Sequence, residues 1–178
     1  MKSEGYGNQG LDFLIEQIRL YDTWDWTRLN KELPRKLNDL FEYDSITFLK
    51  NRIKDCEQEL FNLTSSEEHL IEFIEESNRR YIEDKLKSVA ELERDGQLVG
   101  VVFAEQLASQ LGNAICNQYA HLDYALILNL TEKKASLRTN KTSVDVSVIA
   151  KNNGGGGHAM ASGYPLSETL IKDFIQRI

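Results

Sequence analysis

Four consecutive glycines, Gly154 to Gly157, run straight into His158, and no other stretch limits the fold so sharply. Glycines have no side chains to pack and lose the most entropy on ordering. A folded chain keeps such a run where the backbone turns sharply or a ligand comes close. Bare amides can then converge on an anion. His158 can add a hydrogen bond or a positive charge. Ala159, Ala161, Ser162 and Gly163 follow, small enough for the next segment to pack tightly beside the loop. A flexible linker would also be glycine-rich, but it needs neither the histidine nor the small-residue tail.

The 178 residues are enough for one good core, or for one domain with a helical extension. The net charge of −7 argues against duplex DNA, which is held through many phosphate contacts. It leaves room for a small nucleotide in a local pocket. An acidic balance also suits phosphoesterases whose carboxylates hold divalent cations. No apolar run is long enough for a membrane span. Residues 1–10 are polar and glycine-rich, unlike a secretory leader, and read as a truncation point or a tag remnant. Cys56 and Cys116 lie far apart and lack zinc-ligand spacing, which suggests packing residues in a reducing, cytoplasmic setting.

Along the chain, Leu11, Leu14, Ile15, Ile18 and Leu20 have near-helical spacing. Tyr21-Asp22-Thr23-Trp24-Asp25-Trp26 follows. Asp22 or Thr23 could cap the next helix with the aromatics as anchors. Alternatively Asp22 is a metal ligand held by an aromatic wall, and spacing alone favours the cap. Helices are expected over 27–43, with Pro34 in a first turn or at a break, and over 45–61, with Cys56 and Leu60 among the apolar positions. Ser65-Ser66-Glu67-Glu68 reads as a capping box opening a long helix to about Leu92, with Leu70, Phe73, Ile74, Ser77, Tyr81, Leu86 and Val89 inward. Asp95-Gly96 marks a turn. Strands are expected at Leu98–Phe103, Leu122–Leu130 and Lys134–Thr139, and a short helix over Leu107–Ile115. Ser143 or Asp145 caps another helix that ends in the glycine run, and Leu166–Ile178 reads as a closing helix. Residues 1–94 are thus helical and 95–178 alternate strand and helix, an α/β class with a compact mixed sheet.

Three segments in order carry a family resemblance: Ala135-Ser136-Leu137-Arg138; Val144-Asp145-Val146-Ser147-Val148-Ile149-Ala150; and Gly-Gly-Gly-Gly-His with Ala161-Ser162-Gly163. Together they resemble the C-terminal, DHH-associated domain of the DHH phosphoesterases. That superfamily includes nanoRNases (oligoribonucleases), 3′-phosphoadenosine-5′-phosphate phosphatases, cyclic dinucleotide phosphodiesterases and a single-strand exonuclease. The resemblance covers roughly residues 95–178. Tyr21 to Trp26 looks like the end of the catalytic domain in the bacillus-type nanoRNase branch, and residues 27–92 like its connector.

The resemblance implies roles. By motif Asp22 matches a metal-binding aspartate late in the catalytic domain, and the ligand reading then overtakes the cap. The family's manganese centre also needs an Asp-His-His triplet and an early Asp-x-Asp segment, and the sequence contains neither. One carboxylate cannot hold two ions. The expectation is a C-terminal portion of a longer enzyme that binds substrate and is inactive alone. The amides of Gly155, Gly156 and Gly157 should approach a phosphate or nucleotide, with Gly163 packed beside them. His158 should hydrogen-bond a phosphate oxygen, and Arg138 should clamp phosphate or stack on a base. Position alone would leave Arg138 a strand-end surface charge. Ser136 reads as strand packing, Asp145 as a cap, and His69 and His121 as surface residues. Expected partners are short RNA or a 3′-phosphoadenosine-5′-phosphate-like nucleotide, the catalytic domain, and a second copy through exposed Trp24 and Trp26. A stand-alone nucleotide-binding module and an interaction module built on the long helix are the competing readings.

Overall fold

The computed structural model describes residues 9–43, 45–57, 62–169 and 172. It contains helices α1 (Gln9–Asp22), α2 (Asp25–Arg28), α3 (Leu33–Tyr43), α4 (Ser45–Glu57), α5 (Ser65–Leu86), α6 (Ala108–Gln118) and α7 (Val146–Asn152). Its strands are β1 (Ala90–Arg94), β2 (Gln97–Phe103), β3 (Tyr124–Asn129), β4 (Lys134–Arg138), β5 (Gly156–His158) and β6 (Ala161–Pro165). The chain divides into two compact units, Met1–Ser77 and Asn78–Ile178.

The first unit is helical. Leu14 of α1 and Leu37 of α3 are buried, with Leu33, Phe48, Ile53 and Leu63 packed against them. Pro34 sits in the first turn of α3, where its missing N–H costs nothing. The span expected as one helix from residue 27 is broken between Arg28 and Leu33, with Asn30 at φ 50°. Arg52 of α4 is only 3% exposed and is bonded to Glu67 and to the Asn62 carbonyl.

The capping box lies one residue earlier than expected. Thr64 Oγ1 accepts from the Glu67 amide at 3.2 Å, and Glu67 Oε2 accepts from the Thr64 amide at 2.7 Å. The inward face of α5 is also shifted: Ile71 is buried, whereas Phe73 is 70% exposed.

Asp39 on α3 brings a pH dependence. Burial, the largest cause, pushes its carboxyl up to about 6, Glu42 and Glu75 add to this, and Arg35 opposes it. The folded state therefore holds a proton that the unfolded chain releases near 3.8. The stability owed to Asp39 is full below about 4 and is lost as pH rises to about 6. Thermal melts across that window should show this decline, and Asp39→Asn should flatten it.

The second unit is a mixed sheet in the order β1-β2-β3-β4-β6-β5. β2 and β3 are parallel through the α6 crossover, and the other pairs are antiparallel. One face buries Val102, Ala125 and Ile127 against Leu111 and Ile115 of α6, with Tyr81, Ile82 and Leu86 of α5 alongside. The other buries Val99, Leu126, Leu137 and Tyr164 against Val146 and Ala150 of α7. The result is an α/β sandwich with helices on both faces.

Two corrections to the sequence expectations arise here. The long helix ends at Leu86, not near Leu92, because Ala90–Arg94 pairs with β2 as β1. Asp95 (φ 53°) and Gly96 (φ 76°) both take positive φ, the two-residue hairpin turn that joins antiparallel strands. Only the first half of the glycine run is a loop, since Gly154 and Gly155 precede the strand, while Gly156–His158 pairs with Gly163, Ser162 and Ala161 of β6. The Asp145 cap is present, its carboxylate accepting from the Ser147 amide at 2.9 Å. The Leu60 position and almost all of the Leu166–Ile178 helix lie outside the described residues, as does the Cys56 side chain.

Candidate functional site

Strand register brings the singled-out residues of the second unit together. Arg138 of β4 aligns with Ala161 of β6, which aligns with His158 of β5. One pleat along, Ser136 aligns with Gly163 and Gly156. Residues directly opposite one another across a sheet share a face. It is the α6 face: a Cβ on Gly112 of α6 would lie 2.4 Å from Arg138 Cγ. Two strand spacings put the Arg138 and His158 backbones about 10 Å apart.

Arg138 is half-buried. Its Nη2 donates to Ser109 Oγ on α6 at 2.7 Å, and its Nη1 donates to the Leu137 carbonyl at 2.8 Å. No carboxylate pairs with it among the described residues. Burial therefore pulls its pKa below the ordinary arginine value. An uncompensated, partly desolvated cation draws an anion to itself. The imidazole of His158 is exposed and has no hydrogen-bond partner among the described residues.

The glycines divide by purpose. A Cβ on Gly155 would lie 2.1 Å from the Gly163 carbonyl oxygen. At Gly157, with φ 138°, it would lie 2.6 Å from the Ala161 carbonyl oxygen. A Cβ on Gly163 would lie 2.9 Å from the Ala135 carbonyl oxygen. These glycines let backbones approach backbone. Gly155 also gives its amide to the Ala150 carbonyl at 2.8 Å, so that amide is not free to cradle an anion as expected. Gly156 differs: a Cβ there would meet nothing within 4 Å. The fold does not require a glycine at that position, on the face that Arg138 and His158 share.

Among the remaining sequence candidates, His121 bonds Glu91 at 2.9 Å and His69 is exposed. The Cys116 thiol donates to the Arg138 carbonyl at 3.4 Å, and burial pushes its pKa up. Ser109, the residue that holds Arg138, was not legible beforehand. Its only signal was its place in the first turn of the expected helix.

The first unit carries Asp22. It ends α1 and is exposed, and its carboxylate has no partner among the described residues. The cap expected at Asp22 or Thr23 is absent: Trp24 is the N-cap of α2, at φ 61°, with no side-chain cap bond. Asp25 is the tethered acid, bonded by Arg28 at 2.9 Å and Arg19 at 3.2 Å. The Arg28 bond leads the causes that lower its carboxyl pKa. Trp24 meets Trp26 edge-on at 5.6 Å and is tilted against Tyr21 at 6.3 Å, and the buried Trp26 indole N–H has no partner among the described residues. No three His, Cys, Asp or Glu groups are placed to hold a metal ion among the described residues. Asp22 alone does not fit a two-ion centre. No helix among the described residues is long and apolar enough to cross a membrane.

Comparison with known proteins bears on all of this. No family model matches the chain. Oligoribonuclease NrnB of Bacillus subtilis is 36% identical over 167 residues, 93% of this chain and 42% of that protein. The chain thus spans about two fifths of that relative's length. Among solved structures, the DHH domain of a member of the s1p family of ribosomal proteins superposes with a TM-score of 0.57 at 15% identity. That match covers 82% of this chain and 40% of the other, and it is a likeness of fold. The ordered motifs from Ser136 to Gly163, the mixed sheet that carries them and this kinship lead to one conclusion: the chain belongs to the DHH-family phosphoesterases, in the branch of the bacillus-type oligoribonucleases.

Proposed function

We propose that this chain is the substrate-binding portion of a metal-dependent DHH phosphoesterase. The face bearing Arg138, His158, Gly156 and Gly163 takes a phosphorylated nucleotide or the end of a short oligoribonucleotide. The observation that carries this reading is the register Arg138–Ala161–His158, with a half-buried guanidinium that lacks a carboxylate. Arg138 would hold a phosphoryl group, its fork held to α6 through Ser109. His158 would donate to a phosphate oxygen from the edge strand. Gly156, without a side chain, leaves room on the sheet for a ribose or base, and Gly163 lets β6 lie close to β4 beside it. The Bacillus subtilis relative is named an oligoribonuclease, which favours short RNA as the ligand class.

A divalent cation, manganese or another, belongs in this reading to the catalytic domain that would partner this face. Asp22 would be at most one ligand of it. Incubated alone with a short RNA and Mn²⁺, the chain should release no mononucleotide, and metal-dependent release would end that part of the reading. His158→Ala should weaken binding of a 5′-phosphorylated dinucleotide by about 2 kcal/mol, a factor of about 30, the worth of one charge-assisted hydrogen bond. Calorimetry measures it, with an unchanged melting temperature as the control. Equal affinity in the two proteins would remove His158 from the site.

A further inference from the structure

Ser109, Gly112 and Cys116 lie on one stripe of α6, at the three- and four-residue steps that share a helix face. All three meet Arg138. Ser109 Oγ accepts the guanidinium bond at 2.7 Å, the missing side chain of Gly112 leaves space for the arginine stem, and the Cys116 thiol donates to the arginine carbonyl at 3.4 Å. The stem of Arg138 is thus seated along α6, and its head is placed by the first turn of that helix.

The turn Ala104–Leu107 links β2 to α6 and decides where that first turn begins. Leu107 closes it at φ 56°, a left-handed conformation that L side chains rarely adopt, and supplies no side-chain cap. Its carbonyl accepts from the Leu111 amide at 2.8 Å, which starts the helix. Strained residues of this kind persist only where their surroundings over-determine them, and they cluster at binding sites. Tyr81 of α5 supplies much of that constraint. Its hydroxyl accepts from the Glu105 amide at 3.0 Å and the Gln106 amide at 3.4 Å, and donates to the Glu105 carboxylate at 3.1 Å. Lys85, one helical turn on, bonds the same carboxylate at 2.9 Å. From the β3 side, Asn129 Nδ2 donates to the Glu105 carbonyl at 2.9 Å, and the Ala104 amide donates to the Leu128 carbonyl at 3.0 Å. The Tyr81 ring packs against the core under α6, a task that phenylalanine would do as well. The hydroxyl is the part that packing leaves unexplained. All of these residues belong to the Asn78–Ile178 unit.

We propose that Tyr81 is a positioning residue for Arg138: its hydroxyl holds the Ala104–Leu107 turn, fixes the start of α6, and so sets Ser109 against the guanidinium. This role rests on the reading that Arg138 holds a phosphoryl group, and Tyr81 acts through other residues. Tyr81→Phe keeps the ring and removes the hydroxyl. In side-chain NMR spectra the Arg138 Nε–H signal should shift and lose protection from exchange in Tyr81→Phe. Ser109→Ala should do the same, as should Asn129→Ala, which loosens the turn from β3 and leaves α5 untouched. Tyr119→Phe is the structural control. It deletes a hydroxyl bond to the Leu86 carbonyl, 3.0 Å long, and should leave the Arg138 signal in place. Calorimetry with a 5′-phosphorylated dinucleotide should show affinity about fivefold weaker in Tyr81→Phe, the worth of one neutral hydrogen bond. Adding Tyr81→Phe to Arg138→Gln should cost nothing more, whereas a merely structural loss would add. An Arg138 signal unmoved in both Tyr81→Phe and Asn129→Ala would overturn the role. So would unchanged affinity in Tyr81→Phe, or an additive loss, when Arg138→Gln itself binds weakly. Full binding by Arg138→Gln would instead overturn the phosphoryl reading, and the NMR comparison, which needs no ligand, would still decide whether Tyr81 positions the guanidinium.

Discussion

Gly157→Ala should destabilise the α/β unit by about 3 kcal/mol, while Gly156→Ala leaves its melting temperature unchanged or slightly raised. The two positions are neighbours in one strand, and the glycine run by itself does not tell them apart. At Gly157 the backbone has φ 138°, a region that L side chains rarely adopt. An added Cβ would also stand 2.7 Å from the Ser162 Cα and 2.8 Å from its Oγ. Backbone on the partner strand cannot move aside without breaking the β5–β6 pairing. Strain and overpacking each cost roughly 1–3 kcal/mol. Gly156 has open space where its side chain would be. Alanine there removes freedom mainly from the unfolded chain, a gain of up to about 1 kcal/mol. Yet the same methyl group would stand where the bound nucleotide is proposed to lie. Gly156→Ala should therefore keep the fold and lose affinity in the calorimetric assay. Equal destabilisation by the two substitutions would contradict the hairpin register itself.

Glu67→Gln should cost the helical unit about 3–4 kcal/mol, and Arg52→Met far less. Arg52 is 3% exposed and close to the Phe48 ring, with its cation 5.4 Å from the centroid. Its Nε is buried and has no partner among the described residues, where the guanidinium is held by Glu67 and the Asn62 carbonyl. Neutralising Glu67 leaves a buried cation without its counter-charge, the expensive way to break such a pair. It also weakens the capping box at Thr64, a contribution of about 1 kcal/mol. Replacing Arg52 with methionine removes the charge together with its need for a partner. Denaturant melts of the variants measure the asymmetry, and equal losses would mean that packing, not charge, dominates. Burial pushes the Glu67 carboxyl up, but the Thr64 amide and Arg52 outweigh it and hold the net value below the usual range. Stability from Glu67 is therefore present above the unfolded-state pKa and fades as pH falls through the folded one. Asp39, whose carboxyl is raised, has the opposite dependence.

What the residues alone determined were features encoded in local pattern. Apolar spacing marked α1, α3 and α4, continuous apolar runs marked β2 and β3, and Asp145 marked the start of α7. The order of short motifs from Ser136 to Gly163 was enough to indicate the family. The tertiary structure alone decided what depends on a partner strand. All five residues of β1 are exposed, and Ala-Glu-Leu-Glu-Arg suits a helix, so only pairing with β2 makes it a strand. The glycines of β5 have no side-chain periodicity, and their pairing with β6 separated Gly156 from Gly155 and Gly157. Likewise, only register placed Ser136, Arg138 and His158 on one face, and only the α6 crossover brought Ser109 to the Arg138 guanidinium. Propensity and periodicity act over a few neighbouring residues, whereas a site is assembled from residues far apart in the chain, whose positions are fixed by hydrogen bonding between strands.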